Sequence, residues 1–134
     1  MKVFKFGGAS VKDVTAVKNV AGILNRFKNE DLFVVVSAMG KTTNAMESIV
    51  SALYDKNIDT FTELVEERRQ FHIAIMKELF DDHTRPIFAL INGLFDELLD
   101  KKSAKMAPNY DFQYDQIVSF GEVISTRIIT AYLK

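Results

Sequence analysis

The segment Val3-Phe4-Lys5-Phe6-Gly7-Gly8-Ala9-Ser10 is a short β-prone run that breaks on two glycines at the start of a helical pattern. Val11, Val14, Val17, Ala21, Leu24 and Phe27 then recur at helical spacing, so one face of that helix should pack inward. Ser10 is the expected N-cap, and Asp13 suits the positive end of the helix. Lys28-Asn29-Glu30-Asp31 is a polar turn. Leu32-Phe33-Val34-Val35-Val36 follows, apolar on both faces, as a parallel strand covered by helices on both sides reads. Strand, crossover helix and strand make a right-handed βαβ unit.

Beyond it the pattern is mostly helical. One helix is expected near Asn44, with Glu47 as its capping-box partner, and Thr60 with Glu63 should open a long helix through about Leu79. Asp81 to Pro86 interrupts the pattern. A further helix runs from about Pro86 to Lys102, Lys101 to Pro108 form a basic linker, and the last helix starts near Tyr114. That helix places Ile117, Phe120, Ile124, Ile128 and Tyr132 on one face. Two strands make a poor sheet, since about three are usually needed. The last helix also lacks a stop signal, so the chain is expected to be part of a larger domain.

Composition narrows the function classes. The 134 residues are 48% hydrophobic and 26% charged, a balance that supports a folded core. A net charge of −1 offers no global field for nucleic acid or an anionic membrane. No stretch approaches the roughly 20 apolar residues of a membrane span. Cysteine is absent, which excludes disulfides and thiol chemistry and fits a cytoplasmic protein. His72 and His83 lack metal-pair spacing, so no metal ligand is assigned, and His72 should pack among Phe71, Ile75 and Leu79. Met39, Met46, Met76 and Met106 read as core gap-fillers.

Three segments are candidates for chemistry. Lys5, Phe6, Gly7, Gly8 and Ser10 join a lysine, two glycines that let an anion approach backbone N–H groups, and a helix start. The alternative is an ordinary tight turn with Lys5 reaching solvent. Neither the P-loop nor the dinucleotide pattern is present. Ser37, Thr42, Thr43 and Asn44 place hydroxyl and amide groups after the second strand, where open α/β sheets bind ligands; turn and capping chemistry is the other reading. Glu122 follows Gly121 in a very apolar helix and is either partly buried with a partner or part of a solvated stripe.

Together these segments resemble one family. Lys5-Phe6-Gly7-Gly8-Ala9-Ser10-Val11 is similar to the Lys-Phe-Gly-Gly-Thr-Ser-Val signature of aspartate kinases. Val35-Val36-Ser37-Ala38-Met39-Gly40-Lys41-Thr42-Thr43-Asn44 and Ser119-Phe120-Gly121-Glu122-Val123-Ile124-Ser125 resemble the family's second and Gly-Glu motifs, in the same order. Ala9 stands where the family has Thr, so one hydroxyl beside the loop is missing.

The resemblance implies the amino-acid kinase fold, a three-layer α/β/α sandwich around a mainly parallel sheet. Residues 1–55 would carry the phosphate and substrate loops, 56–110 a helical insertion and 111–134 the Gly-Glu helix. It further implies ATP-dependent phosphorylation of the β-carboxylate of L-aspartate, with Mg²⁺ held mainly by the nucleotide. Lys5 would be catalytic and touch the transferring phosphoryl group, with Phe6, Gly7, Gly8 and Ser10 at the phosphates. Ser37, Thr43 and Glu122 would bind aspartate. The family's second half supplies the adenine pocket, a catalytic aspartate and a substrate arginine, so this segment alone is expected to be inactive. The whole protein is expected to be a homo-oligomer. The competing readings are a glutamate or acetylglutamate kinase, and a non-catalytic fragment that serves assembly or self-associates.

Overall fold

The computed structural model describes residues 1–101 and 110–134. Strand β1 spans Lys2–Phe6 and leads through a 3₁₀ turn, Gly8–Val11, into helix α1, Val14–Asn25. Strand β2, Leu32–Val36, returns parallel to β1. Four helices follow: α2, Thr42–Tyr54; α3, Ile58–Leu79; α4, Pro86–Asp100; and α5, Tyr110–Leu133. The linker expected at Lys101–Pro108 lies, beyond Lys101, outside the described residues, as does Met106.

The register pairs Phe4 with Val34 and Phe6 with Val36 on one face, and Val3 with Phe33 and Lys5 with Val35 on the other. The first face is covered. Phe6 and Val36 are buried, Phe4 meets the ring of Phe27 at 5.0 Å, and α1 and the end of α5 flank Leu32 and Val34. The second face is open, with Val3 65% and Phe33 56% exposed. The all-apolar β2 therefore has helix cover on one side only among the described residues, where cover on both was expected. The alternation of burial along both strands follows from the two-residue period of a strand.

The helices build the larger core. Phe61, Val65, Phe95, Leu98, Ile117 and Ile124 are fully buried, and Met39, Met46 and Met76 fill space among them. Several boundaries differ from expectation for identifiable reasons. Helix α1 starts at Val14 rather than at Ser10, because Ser10 N–H already closes a turn onto the Gly7 carbonyl and Asp13 Oδ1 caps Ala16 N–H at 2.8 Å. Helix α2 starts at Thr42, and Glu47 accepts from the Tyr114 hydroxyl at 2.7 Å instead of closing a capping box. Helix α3 is capped by Asn57, whose Oδ1 accepts from Thr60 N–H at 3.2 Å, not by Thr60. Pro86 opens α4 at its first turn, where its missing N–H costs nothing, and Arg85 before it is extended. Helix α5 begins at Tyr110, four residues ahead of the expected Tyr114.

Candidate functional site

The site forms where the carboxyl ends of β1 and β2 meet. Ser37 N–H donates to the Phe6 carbonyl at 3.0 Å, extending the parallel ladder one residue past β2. The glycine loop then lies against the second loop: a β-carbon on Gly8 would sit 3.8 Å from the carbonyl oxygens of both Ala38 and Gly40. Gly40 has φ +55, and a β-carbon there would stand 2.8 Å from the Phe71 ring and 3.3 Å from the Lys12 carbonyl. Only glycine fits that turn, both for its left-handed backbone and for the space.

Helix α5 closes the arrangement from the other side. Ser125, fully buried, donates through Oγ to the Ser37 carbonyl at 2.7 Å, across 88 residues of sequence. Gly121 lets α5 approach the loop, since a β-carbon on it would lie 3.0 Å from Thr42 Cγ2 and 3.1 Å from Ala38 Cβ. Three segments distant in sequence thus converge on Ser37–Thr42.

Each expected site residue has a definite place. Lys5 is exposed, pairs in register with Val35, and stands on the open sheet face just before the glycine loop. Phe6 is buried and holds the strand end. Gly7 is extended, with φ −74 and ψ 178, and a β-carbon there would meet nothing within 4 Å; Gly8 starts the 3₁₀ turn. Because Ser10 N–H is spent on Gly7, the Gly8 and Ala9 amides are the donors left at the start of that turn among the described residues. The positive end of α1 lies three residues farther on and is answered by the Asp13 carboxylate. The donors this loop could offer an anion are therefore Lys5 and the turn amides, not the dipole of a helix starting at Ser10.

In the second loop Ser37 is half-buried and Thr43 is exposed in the first turn of α2. Glu122 is exposed. It faces a depression of about 420 Å³ along β2, bordered by Val34, Val35, Val36, Ser119 and Arg127. It belongs to the solvated stripe of α5, with no basic group within ion-pair distance among the described residues. Lys5, the glycine loop, Ser37 and Glu122 thus all border the β-strand ends, while Gly121 and Ser125 face the loop itself.

Sequence reasoning passed over Ser125 and Arg68, and it read Thr42 as a loop hydroxyl without seeing its structural part in this site. Thr42 is fully buried; its hydroxyl donates to the Met39 carbonyl and accepts from Arg68 Nη1 at 3.5 Å. Arg68 stacks on Phe71, 4.4 Å from the ring centroid, and its partly desolvated surroundings lower its pKa while Glu67 opposes the shift. The neighbouring Arg69 is structural: it reaches Asp96 at 2.7 Å, Glu66 at 3.2 Å and the side-chain oxygen of Asn92 at 3.1 Å. His72 packs against Phe71 and Phe95 and sets Nδ1 2.8 Å from the Arg68 carbonyl. Burial pushes its pKa down to about 4.

A family model described as the amino acid kinase family matches residues 1–134. Aspartokinase 1, chloroplastic, from Arabidopsis thaliana is 37% identical over 134 residues, covering 98% of this chain and 23% of the relative. Aspartokinase 3, chloroplastic, from the same plant is 38% identical over 136 residues, with 98% of this chain and 23% of the relative covered. The crystal structure of E. coli aspartokinase III in complex with aspartate and ADP superposes with a TM-score of 0.72 at 28% identity, covering 99% of this chain and 28% of that one. This chain therefore spans about a quarter of the length of these relatives. The likeness runs through both strands and all the motif-bearing loops, and its two-stranded, helix-rich form is a portion of their fold. On the match along its full length, the chain belongs to the amino acid kinase family.

Proposed function

We propose that this chain is the phosphate- and substrate-loop portion of an aspartate kinase, which transfers the γ-phosphoryl group of ATP to the β-carboxylate of L-aspartate. The product, 4-phospho-L-aspartate, would enter lysine, threonine and methionine biosynthesis. One observation carries the reading: three motifs distant in sequence meet around Ser37–Thr42, beside an exposed Lys5 at the end of β1. The names of the similar proteins support it, as does the complex of one of them with aspartate and ADP.

In this reading residues 1–55 supply the phosphate and substrate loops, 56–110 form a helical insertion, and 111–134 bring in the Gly-Glu helix. Lys5 meets the transferring group. Its full charge counts most as negative charge shifts from the leaving to the attacking oxygen, since phosphoryl transfer depends chiefly on positioning and electrostatics. The Gly8 and Ala9 amides, and the Ser10 hydroxyl, hold phosphate oxygens, with Gly7 and Phe6 shaping their approach. Ser37 and Thr43 bind the aspartate, and Glu122 pairs with its α-ammonium.

No group of three or more His, Asp or Glu among the described residues could hold a metal. The donors present fit Mg²⁺ only as a passenger on the nucleotide phosphates, where it would neutralise charge. No helix among the described residues is long and apolar enough to cross a membrane, and the cysteine-free chain suits a reducing compartment such as the cytoplasm. The full-length protein is expected to be a homo-oligomer.

The test is ADP release by the full-length protein with aspartate, glutamate or acetylglutamate as acceptor. Aspartate should be preferred, and residues 1–134 alone should give no turnover. Lys5→Ala should lower kcat by about 10²- to 10³-fold while raising the KM for aspartate far less. An unchanged kcat would remove Lys5 from the chemistry, and a preference for glutamate would replace the substrate.

A further inference from the structure

We propose that Arg68 is a positioning residue: acting through Thr42 and Phe71, it braces the Ser37–Thr43 loop against α5 and so sets the affinity for the amino-acid substrate. The proposal rests on the substrate reading of that loop given above.

The two adjacent arginines of α3 have opposite surroundings. Arg69 is nearly enclosed and answered by Asp96, Glu66 and Asn92, so its charge is spent on joining α3 to α4. The Nε of both arginines is enclosed without a hydrogen bond, but that of Arg69 has Glu66 at 3.2 Å, whereas Arg68 has no carboxylate within ion-pair distance among the described residues. An arginine held this way is costly unless its geometry does something else.

Its contacts all lead to one loop. The guanidinium lies 4.4 Å from the Phe71 ring centroid, and the edge of that ring occupies the space a Gly40 side chain would need. Nη1 reaches Thr42 Oγ1 at 3.5 Å, a long bond that orients the hydroxyl already given to the Met39 carbonyl. The methyl of the same threonine is the surface on which Gly121 seats α5. Thr42 thus joins α3, the loop and the Gly-Glu helix, and it directly precedes Thr43. Moving it would shift Thr43 relative to Ser37 and Glu122 first, because the glycine loop meets this segment only at the Ala38 and Gly40 carbonyls, ahead of Thr42. The brace therefore acts more on the acceptor's site than on the nucleotide's.

The experiment uses the full-length protein with Arg68→Ala, Arg68→Lys, Thr42→Val and the Arg68→Ala/Thr42→Val pair. Arg68→Ala should raise the KM for aspartate about five- to tenfold, with kcat and the KM for ATP within about twofold. Arg68→Lys, which keeps a cation over Phe71 and a donor for Thr42, should recover most of the loss. The double variant should be no worse than the more impaired single one, because both changes break one contact. Hydrogen exchange of the amides of residues 38–43 should quicken in Arg68→Ala without any substrate present. Unchanged exchange, effects of the two substitutions that multiply independently, or a parallel loss of kcat, both KM values and Tm would each overturn the brace. A wild-type protein that turns over no aspartate, with exchange still quickened in Arg68→Ala, would overturn the kinase reading and leave the brace standing.

Discussion

Gly7 and Gly40 look alike in sequence, yet the structure gives them opposite roles. Gly40 sits at φ +55 with the Phe71 ring 2.8 Å from where a β-carbon would be, so Gly40→Ala should cost about 1–2 kcal/mol from the backbone alone, and more from the ring's displacement. At Gly7 the backbone is extended and the space is open, so Gly7→Ala should change stability by less than about 0.5 kcal/mol. Chemical denaturation reads both. If Gly7→Ala nevertheless abolishes activity in the full-length protein, the glycine serves close approach of a phosphate and not the fold. The Gly-Gly pair was legible as a candidate site; the demand at Gly40 was not, because it comes from a helix about thirty residues away. His72 makes the same point. Packing among Phe71, Ile75 and Leu79 was expected; the ring of Phe71 does meet it, and its enclosure also involves Phe95 from α4. With a pKa of about 4 when folded against the ordinary 6.5, it stays neutral in the native protein while the unfolded chain binds the proton first. Stability should then be whole above about pH 6.5, fall as pH drops, and level off below about pH 4, a loss of roughly 3 kcal/mol. Denaturation at stepped pH should show this slope flattened in His72→Gln; an equal slope in both proteins would assign the acid sensitivity to other groups.

Elements were legible from periodicity, and their ends were less so. The apolar spacing of α1 and α5 located those helices, because the face that must be buried is written every three to four residues, and α3 was placed by its Thr60–Glu63 pair. The caps depended on competition between neighbours that sequence leaves open. At α3, Thr60 with Glu63 and Asn57 three residues earlier are both reasonable starts. Asn57 wins because Lys56 adopts φ 57, which ends α2 and turns the chain so that the Asn57 side chain meets Thr60 N–H. Asn57→Ala should therefore cost about 1 kcal/mol, while Thr60→Ala should cost much less. Thermal unfolding of the two variants decides between the caps, and equal losses would mean that the threonine contributes as a second cap. The same competition moved the start of α1 from Ser10 to Asp13. That shift matters for the proposed site: it takes the helix dipole away from the glycine loop and leaves Lys5 and two turn amides as the groups an anion there could use.

At the scale of the whole molecule, β2 reads as a strand buried on both faces, but the described residues cover only one. Val3, Phe33 and Val35 form an apolar strip beside Lys5, and a two-stranded parallel sheet leaves both of its edges open. Apolar surface next to unpaired strand edges favours association between chains. Residues 1–134 in isolation should therefore elute from size-exclusion chromatography as concentration-dependent oligomers. Val3→Thr, Phe33→Thr and Val35→Thr together should shift them toward the monomer, since threonine keeps the β-branched shape of a strand residue while adding a hydroxyl to the exposed face. In the full-length protein the same three changes should act in the opposite sense. If further parts of a longer domain pack on this face, as in relatives of which this chain spans about a quarter, each threonine would bury a hydroxyl in place of a methyl or a ring. The triple variant should then lower Tm by several degrees. Improved solubility of the isolated chain together with lost stability of the whole would place this face inside the larger domain; unchanged stability of the whole would leave it as a surface open to solvent or to a partner.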